Sequence, residues 1–355
     1  SSTVTRTEML YVGTNDGMLH AFRASDGAEM FAYAPSNLFS TGAGEGLHYL
    51  TDPGYLHKYY VDLPPTITDA YVQAEPSDSD AWRTILIGGE RAGGRALFAL
   101  DITNPANFSE ANADDIVMWE FTESDLGYTF SEPTVCLADS GDWIAIFGNG
   151  YNDLGSGEAQ LFIVKLEGGI DGTWTSGTDY LKISTGSGSS GTRNGLSTPA
   201  VLDTDNNGTC DRVYAGDLFG DLWAFDISGS NTGQWDVAYK HGSTPKPLFD
   251  GSTTQPITVE PVVARHPTAT TGSSPDLLVF FGTGQYLTDA DKTSTNTQAF
   301  YGVWDTGEKE LTTSNLVQQT FETTFASNLR VLTNNSVNYD GSGGSKRYGW
   351  YIELP

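Results

Sequence analysis

Positive charge is scarce in this chain: 18 Lys and Arg face 45 Asp and Glu, a formal net charge of -27 spread along 355 residues rather than gathered in a tail. Such a surface repels DNA, RNA and anionic membranes and attracts cations, so no nucleic-acid binding is expected. Long apolar runs are missing as well. None approaches the ~20 residues that a spanning helix needs, so no membrane insertion is expected of this chain. The opening residues S-S-T-V-T-R-T carry no signal-peptide core, which places any export signal outside it.

Cysteine is nearly absent. Cys136 and Cys210 allow one disulfide or two separately buried thiols, and spacing alone does not decide between them. Motifs of catalysis are also lacking: there is no H-E-x-x-H, no G-x-S-x-G and no phosphate loop, and G-G-E-R-A-G-G-R (88–95) reads as a turn between strands. The five histidines (His20, His48, His57, His241, His266) are scattered without zinc spacing. Acid pairs such as Asp114 with Asp115 are expected by chance among so many carboxylates, so the sequence makes no positive case for an enzyme.

Helical periodicity is almost missing too, and what replaces it is a repeat. Short β-branched or aromatic runs stop at glycine five times: M-L-Y-V-G at Gly13, T-I-L-I-G at Gly88, W-I-A-I-F-G at Gly148, R-V-Y-A-G at Gly216 and L-L-V-F-F-G at Gly282. Each is followed by a turn and a second run (19–23, 97–101, 161–165, 222–226, 301–305), the pattern of a hairpin. A third run precedes several pairs and opens on proline (E-P-T-V, T-P-A-V, E-P-V-V), as the first residue of a strand allows. A fourth, more polar run often follows, as in V-M-W-E-F (117–121) and W-D-V-A-Y (235–239). Four strands per unit is the grammar of a β-propeller, so the expected fold is all-β, with five clear blades and a two-sheet sandwich as the fallback. N-L-R-V-L-T (328–333) and G-W-Y-I-E-L-P (349–355) read as further strands of a blade that the chain leaves partway through, and T-G-S-G-S-S-G-T-R-N-G (185–195) reads as a flexible surface loop.

One connection carries chemistry. D-T-D-N-N-G-T-C-D (203–211) places Asp203, Asp205 and Asn207 at positions 1, 3 and 5 of a calcium loop, Gly208 at 6, Thr209 with its carbonyl at 7 and Asp211 at 9. A hard cation takes six to eight oxygens, and the glycine permits the sharp turn. Position 12 is Tyr214 rather than glutamate, which leaves Asp211 to supply the bidentate contact. The alternative is an Asx-rich turn between two strands. Crowded carboxylates repel, so the loop is expected to loosen without a cation, which makes Ca2+ an ordering, non-catalytic ligand here.

Y-V-G-T-N-D-G-M-L-H-A-F (11–22), T-D-P-G-Y-L-H-K-Y-Y-V-D (51–62), W-R-T-I-L-I-G-G-E-R-A-G-G-R-A-L-F-A-L-D-I-T (82–103), F-G-N-G-Y-N (147–152), Y-A-G-D-L-F-G-D-L-W-A-F-D (214–226), F-G-T-G-Q-Y-L (281–287) and the closing G-W-Y-I-E-L-P run in order along nearly the whole chain. Together they resemble the C-terminal domain of the PilY family of type IV pilus proteins. The resemblance implies a modified propeller of about seven blades. It implies one domain over residues 1–355, part of a larger exported protein and cut short at its C-terminal end. It further implies a pilus-tip, cell-surface, outer-membrane or periplasmic location, with minor pilins and host or abiotic surfaces as partners. It also implies a role in pilus biogenesis, adhesion and twitching, with a calcium loop at Asp203, Asp205, Asn207, Thr209 and Asp211 that regulates extension and retraction. No Arg-Gly-Asp is present, so integrin recognition of that kind has no support. Two other readings compete: a quinoprotein dehydrogenase propeller, suggested by A-F-R-A-S-D-G-A-E-M-F (21–31), and a glycan-binding scaffold propeller.

Overall fold

All five glycine-ended runs form strands, each in a separate sheet and paired antiparallel with its neighbours. The computed structural model describes residues 6–267, 275–322 and 330–354. The first sheet holds β1 (Met9–Gly13), β2 (Leu19–Arg23) and β3 (Glu29–Tyr33). The second holds β4 (Thr66–Val72), β5 (Ala81–Gly89), β6 (Leu97–Asp101) and β7 (Val117–Phe121). The third holds β8 (Thr134–Leu137), β9 (Trp143–Gly148), β10 (Glu158–Lys165) and β11 (Tyr180–Gly188). The fourth holds β12 (Ala200–Leu202), β13 (Arg212–Gly216), β14 (Leu222–Asp226) and β15 (Asp236–Val237), and each of these four sheets is paired in sequence order.

A short ribbon of β16 (Lys240–His241) and β17 (Thr244–Pro245) precedes the fifth sheet. That sheet starts with β18 (Val262–Arg265), β19 (Leu277–Gly282) and β20 (Gln298–Asp305). Next come β21 (Val317–Gln319), a second ribbon of β22 (Phe321–Glu322) with β23 (Val331–Leu332), and finally β24 (Gly349–Leu354). β24 lies beside β20, and β21 runs parallel to β24 at the edge.

The core lies between consecutive sheets, and the side-chain period of two explains it. On β9, Ala145 and Phe147 face the second sheet, where they meet Ile85, Ile87 and Leu97. The alternate residues Ile144 and Ile146 face the fourth sheet and meet Val213, Trp223 and Phe225. Tyr214 then points the other way, to Val279, Phe281 and Tyr301 of the fifth sheet. Strands buried on both faces need continuous apolar runs, which is why these segments do not alternate with polar residues. The packing of each sheet on the next is the logic of a propeller.

Glycine ends β9 because the segment leading into β12 crosses it closely. A Cβ on Gly148 would lie 2.3 Å from the backbone oxygens of Leu196 and Ser197.

Four expectations change. The prolines sit one residue before β8, β12 and β18 rather than inside them, because Pro133, Pro199 and Pro261 have no N–H to give a ladder. The fourth run of the fourth sheet keeps only Asp236 and Val237 in regular pairing. The 185–195 segment is not a surface loop throughout: Thr185–Gly188 completes β11, and Asn194 is fully buried with its amide donating to Asp217 at 2.8 Å. The closing strand joins the fifth sheet instead of opening another, because β20 leaves a free edge that β24 fills over six residue pairs. Part of N-L-R-V-L-T lies outside the described residues; Val331 and Leu332 form the ribbon with Phe321 and Glu322. Seven blades are not reached among the described residues, which carry five sheets of three or more strands.

Candidate metal centre

The D-T-D-N-N-G-T-C-D segment connects β12 to β13, and its two ends are fixed by ordinary strand pairing. Leu202 pairs with Arg212, and the Asp211 amide donates to the Leu202 carbonyl at 2.8 Å. Between these ends the chain reverses through Asn206 at φ 64° and Gly208 at φ +94°. Left-handed backbone of this kind favours asparagine and glycine over other residues.

Each acid then collects backbone donors. Asp203 accepts from the amides of Asn206 at 2.6 Å, Asn207 at 3.2 Å and Gly208 at 2.9 Å. The Gly208 N–H, helped by the Asn206 and Asn207 amides, holds the Asp203 carboxyl below the usual range. Asp205 accepts from the Asn207 amide at 3.0 Å and from its side-chain nitrogen at 3.3 Å. Asn207 Oδ1 accepts from the amide and the hydroxyl of Thr209 at 2.7 and 2.5 Å. Asp211, which is buried, accepts from the amide and hydroxyl of Thr204 at 2.6 and 2.7 Å.

The result is convergence. Asp203, Asp205 and Asp211 each place an oxygen within 4.8 Å of the others. Asp203, Asp205 and Asn207 are exposed while Asp211 closes the inner side. The donors are hard oxygens, with no imidazole or free thiol among them, a set that fits Ca2+ better than a thiophilic metal. Of the five residues expected to act together, three carboxylates meet. Asn207 lies against Asp205, and Thr209 directs its amide and hydroxyl to Asn207.

The loop has partners that the sequence left open or did not show. Cys136 on β8 and Cys210 in the loop are joined as a disulfide, with Cα atoms 6.3 Å apart. Arg265 of β18 donates to the Thr204 carbonyl at 2.8 Å, so the fifth sheet also touches the loop. Immediately after Asp211, the buried Arg212 donates to Tyr239 at 2.6 Å and to Asp305 at 2.8 Å, and Tyr214 donates to Asp305 at 2.7 Å. Arg212 and Tyr214 share a face of β13, so the period of two could have paired them. Nothing in the sequence pointed to Asp305, 93 residues away from Arg212.

The histidines do not assemble. His20 bridges Asp16 at 2.9 Å and Glu29 at 2.6 Å, and its pKa is raised by those two carboxylates against the effect of burial. Among the described residues, the Asp203 loop is the one group of three or more His, Cys, Asp or Glu side chains close enough to hold an ion.

Comparison with known proteins gives a consistent picture. The family described as the PilY1 beta-propeller domain matches residues 1–334. A type IV pilus biogenesis factor PilY1 homolog of Xylella fastidiosa is 37% identical, covering 99% of this chain and 23% of its own length. The type IV pilus biogenesis factor PilY1 of Pseudomonas aeruginosa PAO1 is 38% identical, covering 99% of this chain and 31% of its own. The chain therefore spans about a quarter to a third of these relatives. The crystal structure of the Pseudomonas aeruginosa PilY1 C-terminal domain superimposes with a TM-score of 0.73 at 35% identity, over 99% of this chain and 71% of that one.

Proposed function

Because the chain belongs to the PilY1 β-propeller family, we propose that it is the non-enzymatic module of a type IV pilus biogenesis factor, and that its Asp203–Asp211 loop binds Ca2+ to regulate the pilus. The observation that carries the calcium half is the convergence of three carboxylate oxygens within 4.8 Å on a loop whose turn is made by Asn206 and Gly208. Support for the pilus half is the description of its relatives as type IV pilus biogenesis factors.

Bound calcium supplies positive charge to carboxylates that otherwise repel one another. The remaining work belongs to the chain. Asp203, oriented by three amides, and Asp211, anchored through Thr204, offer oxygens from opposite ends of the loop. Asp205 would hold the ion from the exposed side, and the Asn207 side chain and Thr209 carbonyl would complete the donor set. Occupancy would stiffen a connection that touches the third, fourth and fifth sheets at once, and so alter the surface that the propeller presents.

In the cell this reading places the protein outside the cytoplasm, at the pilus tip or cell surface, or in the outer membrane or periplasm. Its partners there are minor pilins and host or abiotic surfaces, and it acts in adhesion, twitching and the balance of extension with retraction. No helix among the described residues is long and apolar enough to cross a membrane. The test is Asp205→Ala with Asp211→Ala in the full-length protein, introduced at its native locus. Altered twitching or attachment at unchanged protein level is expected. Motility and attachment identical to the parent would contradict the regulatory role.

A further inference from the structure

Cys210 lies between Thr209 and Asp211, two of the proposed calcium donors, yet its bonds run away from the loop and into the neighbouring sheet. Its sulfur is joined to Cys136 of β8, 74 residues earlier. Its amide donates to the Leu137 carbonyl at 2.9 Å, and it pairs as an isolated bridge with Ala138. Cys210 is 4% exposed and Asp211 7%, whereas the residues from Asp205 to Gly208 stand in solvent. One end of the loop is therefore tied covalently to the third sheet while the other is held by β12 and by hydrogen bonds alone.

A cation chelate is tighter when its ligands are already in place, since less ordering entropy is lost on binding. Asp211 is the buried ligand of the three carboxylates, and the residue beside it carries the cross-link. We infer that the Cys136–Cys210 disulfide is a positioning element of the metal loop, so that the loop's calcium affinity depends on the oxidation state of this pair. The inference rests on the calcium reading of the same loop. A dithiol reductant converts the disulfide to two thiols and is itself oxidised to a disulfide, and the loop then retains only the Cys210 backbone contacts to the third sheet.

Removing a group that orients metal ligands weakens binding by about 10- to 100-fold in other sites. About tenfold is expected here, because the Leu137 contact survives. The experiment compares three samples of the whole chain: oxidised, reduced with excess dithiothreitol, and Cys136→Ala/Cys210→Ala. Calcium affinity is measured by calorimetry, and amide exchange at Asn206, Asn207 and Gly208 is measured in metal-free buffer, with near-ultraviolet circular dichroism to check the packing. Weaker calcium binding and faster exchange at those amides, with packing retained, are the expected results for both disulfide-free samples.

Equal affinity and equal exchange with and without the disulfide would overturn the inference. If the oxidised chain takes up no calcium, the calcium reading fails and the affinity claim falls with it. Exchange at the loop amides then decides the positioning claim separately, and unchanged protection overturns that too. Should the double variant fail to fold, the reduced wild-type chain supplies the same comparison.

Discussion

Glu90 follows β5 with no solvent exposure and with the Asn37 amide donating to both of its oxygens, at 3.2 and 2.9 Å. Burial pushes its pKa from 4.5 up to about 7, against the pull of Asn37. The folded chain then keeps a proton that the unfolded chain has lost between those two values. Stability from this group is present below the window and falls as pH rises through it. Glu90→Gln keeps an acceptor for Asn37 and cannot ionise. Its thermal midpoint is expected to fall less than that of the parent between pH 5 and about 7.5, each unit of displaced pKa corresponding to ~1.4 kcal/mol. Parallel pH curves for the two proteins would refute this. Asp203 has the opposite sign: its carboxyl is held low by the Gly208 amide, so any contribution it makes is lost as pH falls.

At the level of strands and their connections, the close crossing at the end of β9 makes a sharp test. Gly148→Ala forces a methyl to 2.3 Å from two backbone oxygens, which the flanking segment can relieve only by moving. A loss of about 1–3 kcal/mol is expected from denaturant unfolding. Gly191→Ala meets no atom within 4 Å and should change stability by less than about 0.5 kcal/mol. Equal effects of the two substitutions would mean that the crossing has no energetic weight. The hairpins were legible because runs buried on both faces, such as W-I-A-I-F-G, are written as continuous apolar strings that end where a glycine is needed. The Asp203 loop was legible for a similar reason: its spacing is local, and a local pattern survives in one dimension. The return of β24 to β20 and the Arg212 to Asp305 contact were not legible, and two cysteines named the partners of a disulfide without deciding whether it forms. Each depends on which distant strand a sheet edge meets. The glycine and serine content of 185–195 misled for a related reason, since Thr185 and Asn194 are held by partners outside the segment, Ala159 and Asp217.

Across the whole molecule the dominant quantity is a net charge of -27. Self-repulsion at that charge opposes the compact state and is screened by salt, with a Debye length of about 8 Å at physiological ionic strength. In metal-free buffer the thermal midpoint is expected to rise modestly with sodium chloride. At matched ionic strength calcium should raise it further, through an added stability of RT ln(1 + [L]/Kd), or about 2.7 kcal/mol at a hundredfold excess over Kd. Equal midpoints in sodium and calcium at one ionic strength would reduce the calcium effect to screening. Calorimetric titration of calcium into the wild-type chain and into Asp205→Ala/Asp211→Ala tests the account most directly. Saturable one-site heat in the wild type that vanishes in the variant is the result expected. No calcium heat from the wild-type chain at about 1 mM ion, the weak end of the range for extracellular calcium modules, would contradict it.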